Sequence, residues 1–182
     1  MKTMLHALAS LLLAAASVSA ADGKFTLSSR NVPKGGYIPA KHATSKVVGG
    51  KNISPSLWWA NAPKGTKSFA ILCVDTNPVA RRWVHWMVVD IPPNVFRLKM
   101  GVSAKGMPKG AIELENSFGD IGWGGPQPPR GTGLHRYVFT IFALNVPSLK
   151  IPKGSALSEK ELLAKLKGHV LGKAILVGLF ER

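Results

Sequence analysis

The sequence predicts a mainly β domain. Three features point there: five short runs with the composition of strands, long irregular connections crowded with Gly and Pro, and a single helical pattern near the C-terminus.

The first twenty residues read as a segment outside that domain. Lys2 supplies a positive start, Leu5 to Ala16 is mostly apolar, and Val18-Ser19-Ala20 offers small residues at a cleavage position. This is the pattern of a secretory signal peptide over residues 1–20, cleaved near Ala20. The apolar run is short and Ala-rich for a membrane span, and a signal anchor is the alternative. The expected location is therefore secreted or periplasmic, with residues 21–182 forming one domain. About 160 residues are ample for one core.

Phe25 to Ser29 is the first strand-like run. Phe69 to Val74 is the second, and it holds Cys73, the chain's one cysteine. A lone cysteine excludes an intramolecular disulfide, and its apolar setting reads as an inert core thiol. Val84 to Asp90 is the third run. It ends at Asp90-Ile-Pro-Pro-Asn94, because Pro cannot continue a central ladder. Alternation along Val84-His85-Trp86-Met87 predicts His85 and Trp86 on opposite faces.

Asn116 to Leu144, NSFGDIGWGGPQPPRGTGLHRYVFTIFAL, begins as a loop dense in Gly and Pro and ends as the strand Tyr137 to Leu144. Such a loop can be steeply contoured yet stiff. His135 lies at the junction of loop and strand, a good place to hold a binding side chain. Trp123, inside the loop, is the candidate for an exposed aromatic wall. The helix follows: Ser158 caps it, Glu161 completes a capping box, and Leu157 with Leu162 form a staple. Leu162, Leu163, Leu166 and Val170 make its apolar stripe, with Gly168 and Gly172 marking its end. Ala174 to Phe180 is the last strand.

The net charge is +15. Lysines scattered through loops make a solvated surface attractive to anionic membranes or acidic partners. Specific nucleic-acid binding is not expected, since there is no dense basic run, zinc-finger spacing or ribonucleoprotein motif.

CVDTNPVARRWVHWMVVDIP (Cys73 to Pro92) and GLHRY (Gly133 to Tyr137) together resemble the phosphatidylethanolamine-binding protein family, most closely its bacterial and archaeal branch. GGKNISPSLWWANAP, GWGGPQPP and GHVLGKAILVGLFER agree. The resemblance implies a large antiparallel sheet packed on a smaller sheet, with peripheral helices. It implies a pocket for a small anionic or phosphorylated ligand, lined by Asp75, His85, His135 and Tyr137, with Gly124 and Pro126 at its rim. No cofactor is implied.

The chemistry is reasonable. Histidine donates to phosphate oxygens and titrates near neutrality, so binding is expected to weaken as pH rises. Asp75 orients a histidine or receives an amine, and the backbone of Gly122 to Gly125 offers a nest of N–H groups. The family also implies a cis peptide at Asn77-Pro78. This turn departs from the family's D-P-D-x-P: it is one residue shorter, with Asn77 near the second acid, which weakens cation recognition more than anion binding.

Two rival chemistries remain. Asp75, His85 and His135 form a known metal-ligand set, but without the short His spacing of a sequence-evident site. A Ser-His-Asp hydrolase lacks a G-x-S-x-G elbow, and Ser56, Ser68 and Ser117 have no nucleophile context. Non-catalytic ligand binding is the leading expectation. The alternative is an interaction protein that inhibits a protease or kinase; a hydrolase is third.

Overall fold

The computed structural model describes residues 23–182, so the expected signal segment lies outside the described residues. The strands are β1 (Thr26–Ser28), β2 (Leu57–Ala60), β3 (Ser68–Asp75), β4 (Trp83–Ile91), β5 (Arg97–Leu98), β6 (Ile112–Glu113), β7 (His135–Leu144) and β8 (Val170–Phe180). One α-helix, α1 (Glu159–Leu166), and two 3-10 turns at 40–42 and 78–80 complete the elements.

Five strands form an antiparallel sheet in the order β6-β4-β3-β7-β8, and three form a second in the order β1-β2-β5. β3 is buried at every position, as expected for the centre of a sheet covered on both faces. Phe69, Ile71 and Cys73 face one side of it; Ala70, Leu72 and Val74 face the other. The first face packs against Leu27, Leu57, Trp59 and Leu98 of the small sheet. The second packs against Leu114, Ile151, Leu162 and Leu166, the last two from α1. The result is three layers with the large sheet in the middle.

The five expected strands are present, and three others are not in the sequence reading: β2, β5 and β6. Strands of two to four residues are too short for alternation to show. The helix has its capping box, with Ser158 Oγ accepting from Glu161 N–H and Glu161 accepting from Ser158 N–H. It ends earlier than expected, at Leu166. Gly168 takes φ +82°, a left-handed conformation that turns the chain out of the helix. Val170 therefore opens β8 instead of extending the helical stripe, and Gly172 lies within that strand.

Candidate functional site

β3 and β7 pair in register from Ser68↔Leu144 to Asp75↔Tyr137. Side chains two apart share a face, so Asp75, Tyr137 and His135 all project to the face covered by the small sheet. His85 joins them through an irregularity. Cys73 pairs with Trp86 and Val74 with Val84, which leaves His85 as an extra residue in β4. A bulge of this kind re-aims a side chain. His85 and Trp86 consequently lie on the same side of the sheet, not opposite sides as alternation predicted. Both rings pack on Trp123, with centroids 6.3 and 5.7 Å away.

The four side chains line one cleft of about 720 Å³. They form its floor, and all four are buried. Asp75 Oδ2 accepts a 2.5 Å hydrogen bond from His135 Nδ1, and Asp75 Oδ1 accepts from Asn77 N–H. His135 Nε2 meets the Thr132 hydroxyl at 2.8 Å, and that hydroxyl donates to the Pro129 carbonyl. His85 donates from Nδ1 to the Gly124 carbonyl at 2.6 Å. Its Nε2 has no partner among the described residues and is left as an acceptor. Burial pulls the His85 pKa down to about 4, partly offset by the Gly124 hydrogen bond. His85 is therefore neutral at neutral pH, and the expected loss of binding as its ring deprotonates near neutrality is revised: that titration sits far below pH 7. The Tyr137 ring stands edge-on to His85 at 4.9 Å. Its hydroxyl is buried and makes no hydrogen bond of normal geometry among the described residues, with the Asp75 carboxylate close beside it. Burial, then the nearby Asp75 carboxylate, push the phenol pKa up, so it stays a donor.

The rim comes from residues the sequence reading did not select. Trp83 and Phe118, both part-exposed, form an edge-to-face pair at 5.2 Å, and Phe118 continues the contact to His85. Asn116, buried, holds that loop: it accepts from Phe118 N–H and donates to Gly122 O. Ser117 lines the cleft, and its Oγ accepts from Val84 N–H. Arg81 and Arg82 stand at the mouth, both in left-handed backbone. Arg82 is held by Glu159 of α1 through two hydrogen bonds of 2.5 Å. Arg81 has no acidic partner among the described residues. None of these residues has a periodic signal. Phe118 and Ser117 do lie within the Gly-rich stretch singled out, and the two arginines follow the Asp75 turn.

Three expectations about the loop fail for one reason, close packing. Trp123 is buried, not an exposed wall, and donates from Nε1 to His42 O. The Gly122 to Gly125 amides are no anion nest. They donate to Leu114 O, Ser103 Oγ, His85 O and Asn52 Oδ1 in turn. A Cβ on Gly125 would lie 2.1 Å from His42 O, so glycine here permits backbone contact with residues 42–43 and not ligand approach. Gly124 accordingly touches His85 from behind, and Pro126 is buried with its carbonyl accepting from Thr44 N–H; neither lines the cleft, whereas Gln127, Pro128 and Pro129 do.

The Asn77–Pro78 peptide is trans, contrary to expectation. Pro78 opens the short 3-10 turn, and Asn77 caps it by accepting from Val79 N–H at 2.9 Å. Among the described residues, no three His, Cys, Asp or Glu side chains are grouped to hold a metal ion.

One further residue supports the site from below. Glu113, buried, accepts from Trp86 Nε1, Ser103 Oγ and Ala104 N–H. Ser103 in turn accepts from Trp123 N–H. The two tryptophans under His85 are thus tied to one carboxylate.

Comparison with known proteins agrees with this architecture. Residues 28–181 match the sequence profile described as phosphatidylethanolamine-binding protein. A UPF0098 protein of Aquifex aeolicus is 38% identical over 85% of this chain and 86% of its own. The crystal structure of Escherichia coli YbcL, described as a new member of the mammalian PEBP family, superposes with TM-score 0.80 at 33% identity, covering 88% of this chain and 99% of that one. A carboxypeptidase Y inhibitor, solved with its cognate proteinase, shares the fold at 19% identity and TM-score 0.52. With a matched profile spanning nearly the whole described chain, and relatives of this identity and coverage, the chain belongs to the phosphatidylethanolamine-binding protein family, in its bacterial and archaeal branch.

Proposed function

We propose that this is an exported, non-catalytic binding protein for a small phosphorylated ligand, held in the Asp75–His135 cleft. The supporting observation is the Tyr137 hydroxyl on the cleft floor, which makes no well-formed hydrogen bond among the described residues and has only the Asp75 carboxylate beside it. A buried donor without an acceptor costs the free protein roughly 1–3 kcal/mol. A phosphate oxygen entering the cleft supplies the acceptor.

His85 complements it. Its Nε2 accepts a hydrogen bond, so the floor offers one donor and one acceptor with their rings 4.9 Å apart. That pair suits a phosphate bearing a proton, or a phosphate ester with a hydroxyl or amine close by. Arg81 supplies the attracting charge at the mouth, while the Asp75 carboxylate is already taken up by hydrogen bonds from His135 Nδ1 and Asn77 N–H. A volume of about 720 Å³ exceeds what a lone phosphate needs, and the Trp83–Phe118 wall gives the organic remainder an apolar surface.

Calorimetric titration with inorganic phosphate and with phosphorylethanolamine tests this. Either His85→Ala or His135→Ala should weaken binding by about ten- to a hundredfold in a folded protein. A stronger signal from phosphorylethanolamine assigns a headgroup-like ligand; equal signals assign free phosphate. Unchanged affinity in both variants leaves surface-mediated inhibition of a partner protein as the better account. Ligand hydrolysis by the unmodified protein, lost in a variant, would make it an enzyme.

A further inference from the structure

The small sheet carries a second surface that shares no residue with the cleft. In β2, Leu57 and Trp59 point into the core, so Trp58 between them points out. Its ladder partner in β5 is Arg97, and the Arg30 guanidinium lies 5.9 Å over its ring. Arg30, Trp58, Arg97, Lys99 and Met100 line a shallow groove of about 440 Å³. Met100 in that lining is 47% exposed, and Phe96, the sequence neighbour of Arg97, is 59% exposed.

The chain segments that build this layer are one-sided in charge. Residues 23–74 and 91–112 contain all three strands of the small sheet, together with nearly all of β3. They hold eight and four Lys or Arg side chains and no Asp or Glu. Every described acidic residue falls in 75–90 or 113–182. A surface needing only solubility mixes both signs, whereas a single-sign face raises the local concentration of counter-charged partners.

We propose that this face docks on an anionic lipid bilayer. Arg30, Arg97 and Lys99 sit at the headgroup level, and Trp58, Phe96 and Met100 occupy the interfacial zone. The sequence Phe96-Arg97-Leu98-Lys99-Met100 sets two exposed apolar side chains around two exposed cations. A soluble polyanion would engage the cations and leave Phe96 and Met100 in water. A bilayer interface takes both, and an amphipathic indole suits the same depth.

Co-sedimentation with phosphatidylcholine vesicles, with and without about 30% phosphatidylglycerol, tests the proposal. All variants carry the same N-terminus, whose apolar stretch would favour both vesicle types alike. The unmodified protein is expected to partition onto the anionic vesicles. Arg97→Gln with Lys99→Gln should lower that partitioning about thirtyfold. Phe96→Ser should lower it severalfold while leaving retention on heparin unchanged. Lys165→Gln, exposed on α1 in the opposite layer, should leave it unchanged, which separates this face from the loss of one positive charge elsewhere. Equal partitioning onto both vesicle types, or no effect of the double variant, would overturn the proposal. So would an inert Phe96→Ser combined with full competition by heparin, which would make this a face for a soluble polyanion.

Discussion

Asp75 and His135 lie sixty residues apart in sequence and share a 2.5 Å hydrogen bond in a place solvent barely reaches. The β3–β7 register makes the meeting unavoidable, because Asp75 stands opposite Tyr137 and His135 is two residues before it on the same face. The carboxylate fixes the ring with Nδ1 as donor, which directs Nε2 toward Thr132. Asp75→Asn removes the charge from this buried pair while nearly keeping its shape. It is expected to destabilise the fold by roughly 1–3 kcal/mol in urea denaturation. An unchanged midpoint would show that the pair contributes nothing to the folded state.

His85 makes stability depend on pH in a known direction. Its pKa is about 4 folded, against about 6.5 in an unfolded chain. Between those values the unfolded chain binds more protons. The stabilisation is therefore complete above about pH 6.5 and is lost as pH falls toward 4, by at most about 3 kcal/mol. His42, also lowered by burial, adds in the same sense. Urea denaturation at about pH 7 and about pH 4.5 should show the drop, and His85→Gln should flatten it. An identical slope in that variant would place the titration elsewhere.

Cys73 has no exposed surface and a central position in β3. Burial, then the charge of Asp75, raise its pKa and suppress the thiolate. A thiol reagent is expected to label it only after denaturation; stoichiometric labelling of the native protein within minutes would contradict the central placement of β3.

The long elements were legible because their chemistry repeats. β3, β4, β7 and β8 are runs of β-branched and aromatic residues, and α1 announces itself through Ser158 and Glu161. The convergence of Asp75, His85 and His135 was not legible from spacing; it came from the family pattern, and the β3–β7 register now gives its cause. What stayed hidden depends on one-residue events. A single extra residue at His85 reverses the face assigned to Trp86. Burial of Trp123 follows from contacts with residues 42 and 103, which no local pattern encodes. The Gly122 to Gly125 amides look free in sequence because a loop does not state where its hydrogen bonds go. Arg81 and Arg82 look like ordinary surface cations until the backbone places them at the cleft mouth.

Tyr137→Phe separates binding from folding. The ring lies at the base of the inter-sheet core, with no exposed surface, and Phe fills the same volume. Only the hydroxyl is lost, and that hydroxyl makes no well-formed hydrogen bond among the described residues. Removing an unsatisfied buried donor should leave stability unchanged or raise it, by up to about 1–3 kcal/mol. If a phosphate oxygen is the missing acceptor, the same change should weaken binding of inorganic phosphate by about tenfold or more. The two effects have opposite signs, so general damage cannot imitate them. Thermal unfolding and calorimetric titration on one preparation read both. A Phe variant that is more stable and binds phosphate as well as the unmodified protein would mean that the hydroxyl never meets the ligand. A variant that loses stability would mean that the hydroxyl already has an acceptor in the free protein, with the Asp75 carboxylate beside it the first to examine.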